Sequence, residues 1–434
     1  MKKVKWITHK TLALTTLLVL SITGSSMAAE NQEVLTLQQI LETAIKNNPT
    51  VVEQQKRWEE KNGRVLQVTA QPNPKFGIMK DDIPTSSKNP FDGMMTDFSL
   101  TQEIMNPVKL KKMGKMAEND ALMTKSGYQD KQIEVYTATK LAYYDLLYAG
   151  QALAIGKESQ QIMGQLTQIA QVNYSTGMVS LQDALKAQTE FSKMTIDLLN
   201  MASMEAVNRS KLNTLMGRPA DSSLVIKEEF NAPPPNFDLL ALQKTASEIK
   251  PAVLGMKYQV NMAQNGLELA KKQILPDYEL QLGYKRYKRT DMPENDKSNT
   301  WRVGVMAMIP IWQDKNKAQI KSAASNVEAT KASLTNMQNM TELDIQMSLV
   351  EAQSAWRQID LYKNTIIPQA EQTYQAGVVG YTNGKVDFMA VLDSLNALRN
   401  VKLDYYKAKI TYEKATTNLE KAVGKPLFTS VSLL

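Results

Sequence analysis

Few side chains in this chain could do covalent or metal chemistry. The sequence has one histidine, His9, and no cysteine. It therefore lacks the residues for a serine–histidine or cysteine–histidine nucleophile, for a thiolate or imidazole metal site and for a disulfide. Carboxylates remain as general acids and bases, but no glycine-rich phosphate loop accompanies them. The sequence predicts no catalytic residue, no cofactor site and no metal site, and thus no enzyme.

Methionines are the one potential ligand type that clusters along the chain. The cluster consists of Met94, Met95, Met105, Met113, Met116 and Met123. Thioethers suit a soft cation such as Cu(I), but methionine more often fills irregular gaps in a core. We interpret these side chains as packing residues and predict no copper path from them.

Residues 1–28 have the pattern of a signal peptide. A lysine-rich start precedes an apolar stretch from Thr11 to Ile22, and Ser26 and Ala28 supply the small residues of a cleavage site. The apolar stretch is too short to span a bilayer. His9 lies in this leader, together with four lysines that account for much of the net charge of +7. The exported chain is therefore expected to contain neither histidine nor cysteine.

The exported chain contains an internal repeat, which fixes its organisation. Six residues recur 207 positions later without a gap: Tyr174, Gly177, Val179, Leu185, Gly217 and Pro219 match Tyr381, Gly384, Val386, Leu392, Gly424 and Pro426. We predict a first structural repeat over residues 29–219, a proline-rich linker over 220–236, a second repeat over 237–426 and a tail over 427–434.

Each repeat predicts the same order of elements: two helices, two strands, a long helix and a returning helix. In the first repeat the strands are expected over Lys75–Lys80 and Thr96–Ile104, before a long helix from Val108. In the second repeat the long helix is expected to run to Ala376 and to break over Gly377–Lys385.

Alternating apolar residues mark the two strands of the second repeat. The apolar set is Tyr278, Leu280, Leu282 and Tyr284, followed by Trp301, Val303 and Val305. Strands of about 9–11 residues with this alternation can cross a bilayer with their apolar side chains towards lipid. A half-buried strand of a soluble sheet shows the same period. Four strands cannot close a barrel with a lumen, so the membrane interpretation requires several chains.

The turns between the long and returning helices are the second candidate site. Gly177 and Gly384 can adopt the positive φ that a helix reversal needs. Ser180 and Asp387 are good N-caps for the returning helices, and Asp183 stands three residues after Ser180. These residue types are explained equally well by local structure and by a role in binding a partner.

Taken together, the chain resembles the TolC-like outer-membrane efflux proteins of Gram-negative bacteria, especially the branch that exports heavy metals. The resemblance covers nearly all of the exported chain and is most specific in the two turn segments. These contain Tyr174, Gly177, Val179, Ser180, Asp183 and Leu185 in one copy and Tyr381, Gly384, Val386, Asp387 and Leu392 in the other.

The resemblance implies a fold that is mostly α with membrane β-strands. Three chains would share a twelve-stranded β-barrel, four strands from each, and their long helices would continue it as an α-helical barrel through the periplasm. The two turns would be periplasmic tips that meet a periplasmic adaptor and an inner-membrane pump of the resistance-nodulation-division type. Acidic residues near the tips, here Glu371 and Asp393, would be candidates for a gate.

The function implied is that of a passive exit duct in the outer membrane for metal ions or drugs. A duct for secreted polypeptides, as in type I secretion, would have the same shape. A further alternative follows from the helices alone: a periplasmic coiled-coil adaptor or scaffold without a barrel. The strands distinguish these interpretations, because an adaptor does not need an apolar row of the kind that begins at Tyr278.

Overall fold

The computed structural model describes residues 34–230, 234–287 and 299–427. The predicted signal peptide, residues 1–28, lies outside the described residues, as does all but the first residue of the predicted tail. The prediction of a mostly helical chain that carries four strands in one sheet is confirmed.

The elements follow the predicted order in both repeats. The first repeat contains β1 (Val34–Leu35), α1 (Leu37–Asn47), α2 (Pro49–Thr69), β2 (Lys75–Asp81), β3 (Met95–Ile104), α3 (Pro107–Ser175) and α4 (Leu181–Leu215). The linker contains β4 (Val225–Ile226). The second repeat contains α5 (Leu239–Ile249), α6 (Pro251–Lys272), β5 (Asp277–Tyr287), β6 (Thr300–Met308), α7 (Gln313–Leu361), α8 (Ile367–Thr382) and α9 (Phe388–Val423).

The four long strands form one antiparallel sheet in the order β2-β3-β5-β6. The central pair joins the two repeats, with Leu100 of β3 opposite Leu282 of β5. Leu282 is in turn opposite Val303 of β6. Within the described chain, β2 and β6 each have one edge without a strand partner. The sheet therefore has two edges without a strand partner.

The helix starts show why each segment folds where it does. Thr36 caps α1 in a capping box with Gln39, in which each side chain accepts from the other residue's backbone N–H. Asn48 caps α2, which begins at Pro49, and Asn106 caps α3, which begins at Pro107. Proline at the first helical position loses no hydrogen bond, so Asn-Pro pairs start helices directly after a break.

The long helices α3 and α9 hold the two repeats together through a buried polar core. Lys140 of α3 and Glu420 of α9 form an ion pair of 2.7 Å, and both side chains are 2% exposed or less. Tyr144 donates a hydrogen bond to Glu413 at 2.7 Å, and burial together with the Glu413 charge raises the pKa of Tyr144. Removing one member of such a pair leaves an uncompensated buried charge, which is strongly destabilising.

Two features of the chain differ from the sequence prediction. The helix of the second tip does not break at Gly377: α8 continues to Thr382, because Gly377 and Gly380 are tolerated inside a helix whose face packs on α9. The linker is not wholly irregular, since β4 pairs in parallel with β1 through Val34 opposite Val225. Strands of two residues give no periodicity from which they could be predicted.

Pro368 lies inside the helical segment without ending it. A proline removes one backbone donor and its ring clashes with the preceding turn of an α-helix. Here the turn before it widens into a π-helix over Tyr362–Ile366, in which the Ile367 N–H donates to the Tyr362 carbonyl. The wider turn lets α7 pass into α8 without a break.

None of the helices in the described part of the chain combines the length and the hydrophobicity needed to cross a membrane.

Candidate functional site

The first turn, between α3 and α4, has the backbone that the sequence predicts. Gly177 adopts a φ of +78°, and its N–H donates to the Tyr174 carbonyl at 3.0 Å. Ser180 caps α4, because its hydroxyl oxygen accepts from the Asp183 N–H at 3.2 Å. The same hydroxyl lies 3.1 Å from the Asp183 carboxylate. The carboxylate at the start of α4 is also favoured by the helix dipole.

The second turn, between α8 and α9, repeats this geometry. Gly384 has a φ of +65°, and its N–H donates to the Tyr381 carbonyl at 3.1 Å. Asp387 caps α9 by accepting from the Ala390 N–H at 2.8 Å. A Cβ on either glycine would meet nothing within 4 Å. The glycines are therefore required by backbone conformation and not by crowding.

The two turns differ sharply in burial. Tyr174 is 45% exposed, whereas its counterpart Tyr381 is 2% exposed. Leu181 is likewise exposed, whereas its counterpart Phe388 is completely buried. Tyr381 and Phe388 pack edge to face in a cluster that includes Met163 of α3 and Met194 of α4, among others. Val179 packs partly against that cluster, and Val386 is exposed.

Tyr381 brings the second turn against the first. Burial raises the pKa of its hydroxyl, and the nearby Asp183 carboxylate raises it further, while the Asn173 side chain has the opposite effect. Asp183 and Asn173 both belong to the first turn region, on α4 and α3. Asp183 and Tyr381, which the sequence predicted for separate tips, are therefore close enough in the structure to interact electrostatically.

Two ion pairs further from the turns connect the hairpins and were not predicted. Arg399 of α9 reaches Asp197 of α4 at 3.2 Å, and Lys402 of α9 reaches Glu158 of α3 at 3.0 Å. Each carboxylate is about half exposed. Nothing in a single sequence marks these residues as partners, because each pair joins positions more than 200 residues apart.

The gate candidates Glu371 and Asp393 are both exposed, but the structure does not bring them together. Glu371 lies on α8, eleven residues before the helix ends, which corresponds to about 17 Å from the turn. Asp393 lies five residues into α9, about 8 Å from the turn. The two carboxylates therefore stand at different levels along the hairpin.

The seven residues predicted to face lipid lie on one face of the sheet. The strand register aligns Tyr278 with Ala307, Leu280 with Val305, Leu282 with Val303 and Tyr284 with Trp301. Trp301, Val303 and Val305 are 67–78% exposed. Phe76, Ile78 and Leu100 of the first repeat extend the same exposed apolar surface.

The opposite face of the sheet carries most of its charged side chains, together with Met79, Met306 and Met308. Asp97 of β3 and Arg302 of β6 form an ion pair of 3.2 Å there, next to Gln281 and Glu279 of β5. The apolar side also carries polar residues: Gln102 at the helical end of the sheet, and Lys80, Thr96 and Arg286 at its other end. The Gln102 amide donates to the Pro72 carbonyl at 2.8 Å, so that its hydrogen-bonding capacity is used within the chain.

The methionines of the first repeat do not assemble into one site. Met113 and Met116 line a cavity of about 320 Å³ together with Met262 of α6 and with the cationic side chains of Lys61 and Arg64. Asp120 also lines this cavity and pairs with Lys61 at 2.9 Å, so that Arg64 leaves a net positive charge beside the thioethers, which disfavours a metal cation there. Among the described residues, no three His, Cys, Asp or Glu side chains converge as a metal site would require.

Comparison with known proteins gives consistent matches over nearly the whole chain. The model of the family "Outer membrane efflux protein" matches twice, over residues 40–218 and 242–425. The chain is 23% identical over 420 residues to the cobalt-zinc-cadmium resistance protein CzcC of Cupriavidus metallidurans, covering 93% of this chain and 94% of that protein. It is 21% identical over 434 residues to the outer membrane protein TolC of Escherichia coli, covering 94% and 85%.

Solved structures share the fold. The crystal structure of CusC superposes with a TM-score of 0.76 at 16% identity, covering 90% of this chain and 92% of that one. The long paired helices and the four-stranded sheet described above therefore form an arrangement known from outer-membrane channels. The chain belongs to the outer membrane efflux protein family, the passive, non-enzymatic channels of the Gram-negative outer membrane that extend into the periplasm.

Proposed function

We propose that three copies of this chain form one exit duct, with the apolar face of the sheet against lipid. The observation that carries the proposal is a sheet with two open edges and one exposed apolar face. An open edge presents unpaired backbone groups, and closure into a barrel removes both edges. Three copies would supply twelve strands, with β6 of one chain beside β2 of the next.

The helices favour the same assembly. In the single chain, α4 and α7 each carry exposed apolar side chains along their length. On α4 these are Leu185, Phe191, Ile196, Leu199 and Val207, and on α7 they are Met340, Leu343, Met347, Val350 and Trp356. Different surfaces on the two helices suit a head-to-tail contact, which closes into a ring when the rotation between copies allows it.

The duct would continue well beyond the membrane. The 69 residues of α3 correspond to about 100 Å at 1.5 Å per residue. In each predicted repeat, residues 29–219 and 237–426, a long helix runs from the sheet to a helix turn. The sheet therefore lies at one end of the long helices, and both helix turns lie at the other end. We assign the predicted tips, Gly177 and Gly384 with their neighbours, to the contact with a periplasmic adaptor and an inner-membrane pump.

The cargo in this proposal is a small solute, either metal ions or drugs, driven by the pump. The name of the relative CzcC, a cobalt-zinc-cadmium resistance protein, supports metal ions. Glu371 and Asp393 are the proposed gate residues, because each exposes a carboxylate near the second turn. Exposed carboxylates at two levels would attract cations at two points along the duct.

Reconstitution tests the duct directly. Purified protein is expected to migrate as an SDS-resistant trimer and to give discrete conductance steps in planar lipid bilayers. The variant Val303→Lys places a charge on the apolar face and should lose membrane assembly, because a lysine facing lipid costs about 2–4 kcal/mol at mid-depth. Gln281→Lys, on the polar face of the neighbouring strand, is the matched control and should still assemble.

A monomeric protein without conductance would instead support a periplasmic adaptor or scaffold. Assembly of Val303→Lys at the level of the control would also contradict the proposed lipid face. Sensitivity of a deletion strain to zinc, cadmium and cobalt salts, compared with its sensitivity to hydrophobic drugs, identifies the class of cargo.

A further inference from the structure

Lysines are concentrated where the helices meet the sheet. β3 ends at Ile104 and α3 begins at Pro107, so that the first turns of α3 lie directly beside the sheet. These turns carry exposed Lys111 and Lys115. The last turn of α6 and the first turns of α7 meet the same end of the sheet and carry exposed Lys272, Lys315 and Lys321. Within the described residues, no carboxylate forms an ion pair with any of these five lysines.

The neighbouring Lys109 shows which way the two lysines of α3 face. Its amine pairs with Asp277 at 2.7 Å, and its side chain is 5% exposed. Asp277 alternates with Tyr278 along β5 and so lies on the polar side of the sheet. Successive residues of an α-helix are turned by about 100°. Lys111 is therefore rotated about 160° from Lys109, and Lys115 about 120°. Both lie towards the apolar side of the sheet.

Apolar residues accompany these lysines. Val108 and Leu122 are exposed on the same stripe of α3 as Lys111 and Lys115. The segment between β6 and α7 adds Trp312, which is 73% exposed, together with exposed Ile309 and Ile311. Lysine stems can lie along apolar surface while the amine stays in water, and tryptophan prefers the boundary between hydrocarbon and headgroups. The first acidic residue on the α3 stripe is Glu118, further from the sheet.

We propose that Lys111 and Lys115 bind the phosphate groups of phospholipids at the helical end of the sheet. This inference rests on the proposed placement of the apolar sheet face in a membrane. The two lysines are four residues apart and therefore neighbours on one helix face, about 6 Å apart at their Cβ atoms. Two unpaired amines directly below an exposed apolar surface match a lipid, which presents a phosphate next to its hydrocarbon. Free phosphate would pair with the two amines but would leave the exposed apolar stripe of α3 in contact with water.

The experiment measures the thermal dissociation of the full-length trimer in neutral detergent micelles. Dioleoyl phosphatidylglycerol is titrated into the micelles, with dioleoyl phosphatidylcholine and glycerol 3-phosphate as parallel probes. Phosphatidylglycerol should raise the dissociation temperature of the wild type at lower concentration than phosphatidylcholine, and glycerol 3-phosphate should have no effect. A surface lysine contributes about fivefold to the binding of an anionic lipid.

In the variant Lys111→Glu/Lys115→Glu, the half-maximal phosphatidylglycerol concentration should rise by at least about tenfold. Lys157→Glu is the matched control, because Lys157 is exposed on the same helix but lies about 60 Å further along it. If the double charge reversal does not assemble, Lys111→Gln/Lys115→Gln gives the same comparison with a smaller change in charge.

Three results would overturn the lipid site. They are an unchanged phosphatidylglycerol titration in the double variant, an equal loss in Lys157→Glu, and stabilisation of the wild type by glycerol 3-phosphate alone. A wild type that responds to neither lipid would overturn the lipid site as well. A conducting, trimeric double variant with unchanged lipid response counts against the lipid site only, whereas a monomeric wild type counts against the duct itself.

Discussion

The two helix turns have the same backbone and opposite surroundings. Both use a glycine with positive φ and a polar N-cap three residues later. Yet the second turn buries Tyr381 and Phe388, and the first exposes Tyr174 and Leu181. The difference teaches that the duplicated sequence specifies the turn, while the packing of one hairpin against the other decides which copy becomes core. The second turn is packed within its own chain, and the first turn leaves Tyr174 and Leu181 exposed on the single chain.

Among the substitutions that test this difference between the turns, Phe388→Ala should lower the free energy of unfolding the most. Phe388 is completely buried, and truncation of a buried phenylalanine costs about 3–5 kcal/mol through lost contacts and the cavity left behind. Leu181→Ala, at the equivalent exposed position, should change the free energy of unfolding by about 0.5 kcal/mol or less. Thermal unfolding and limited proteolysis of both variants measure this difference. Equal losses would show that the first turn is also buried in the assembled protein.

Gly384→Val should have the next largest effect. A valine at a φ of +65° costs about 1–2 kcal/mol, although no atom would clash with its Cβ. We expect weaker complementation of an efflux-deficient strain, with assembly of the sheet unchanged. Gly177→Val has the same backbone problem at +78° and serves as the comparison. Wild-type resistance in the Gly384→Val strain would remove this glycine from the functional residues.

Alkaline pH should distinguish the two tyrosines. The pKa of Tyr381 is raised in the folded protein by burial and by Asp183. The folded state therefore keeps a proton that the unfolded state loses above a pH of about 10, and stability contributed by this group falls as pH rises through that range. Tyr381→Phe should reduce the loss of protease resistance between about pH 9 and 11. Tyr174→Phe is the control, and an equal effect of both substitutions would contradict the assignment.

The ion pairs between the hairpins should have the smallest effect. Arg399–Asp197 and Lys402–Glu158 each have a half-exposed carboxylate, so that each contributes about 1 kcal/mol or less. Asp197→Asn/Glu158→Gln should make cleavage near the second turn faster at low salt and should remove most of its salt dependence. Glu190→Gln, which breaks a pair within α4 alone, is the control. A salt response that survives in the double variant would place the sensitive contact elsewhere.

The sequence predicts the elements of this fold better than their surroundings. Alternation along β5 and β6 and the glycines of the turns are local signals. The strand ends predicted for the first repeat agree with β2 and β3 within one residue. The burial of Tyr381 was not predictable, because the helices of both repeats show the same periodicity. Whether the tyrosine at the turn is buried depends on which helices of the other repeat pack against it. The same holds for the Arg399–Asp197 pair and for the pairing of β1 with β4, which depend on distant contacts.

The π turn at Tyr362–Ile366 also corrects the phase of a helical seam. Ile345, Ala352 and Ile359 of α7 pack towards α9 at intervals of seven residues, and so do Tyr374 and Tyr381 of α8. The step between Ile359 and Tyr374 is fifteen residues, one more than two heptads. The wide turn absorbs that extra residue, since a π turn adds one residue to a helical turn. Without it, the aromatic ring of Tyr381 would be rotated by about 100° from α9, and the buried second turn would lose its anchor.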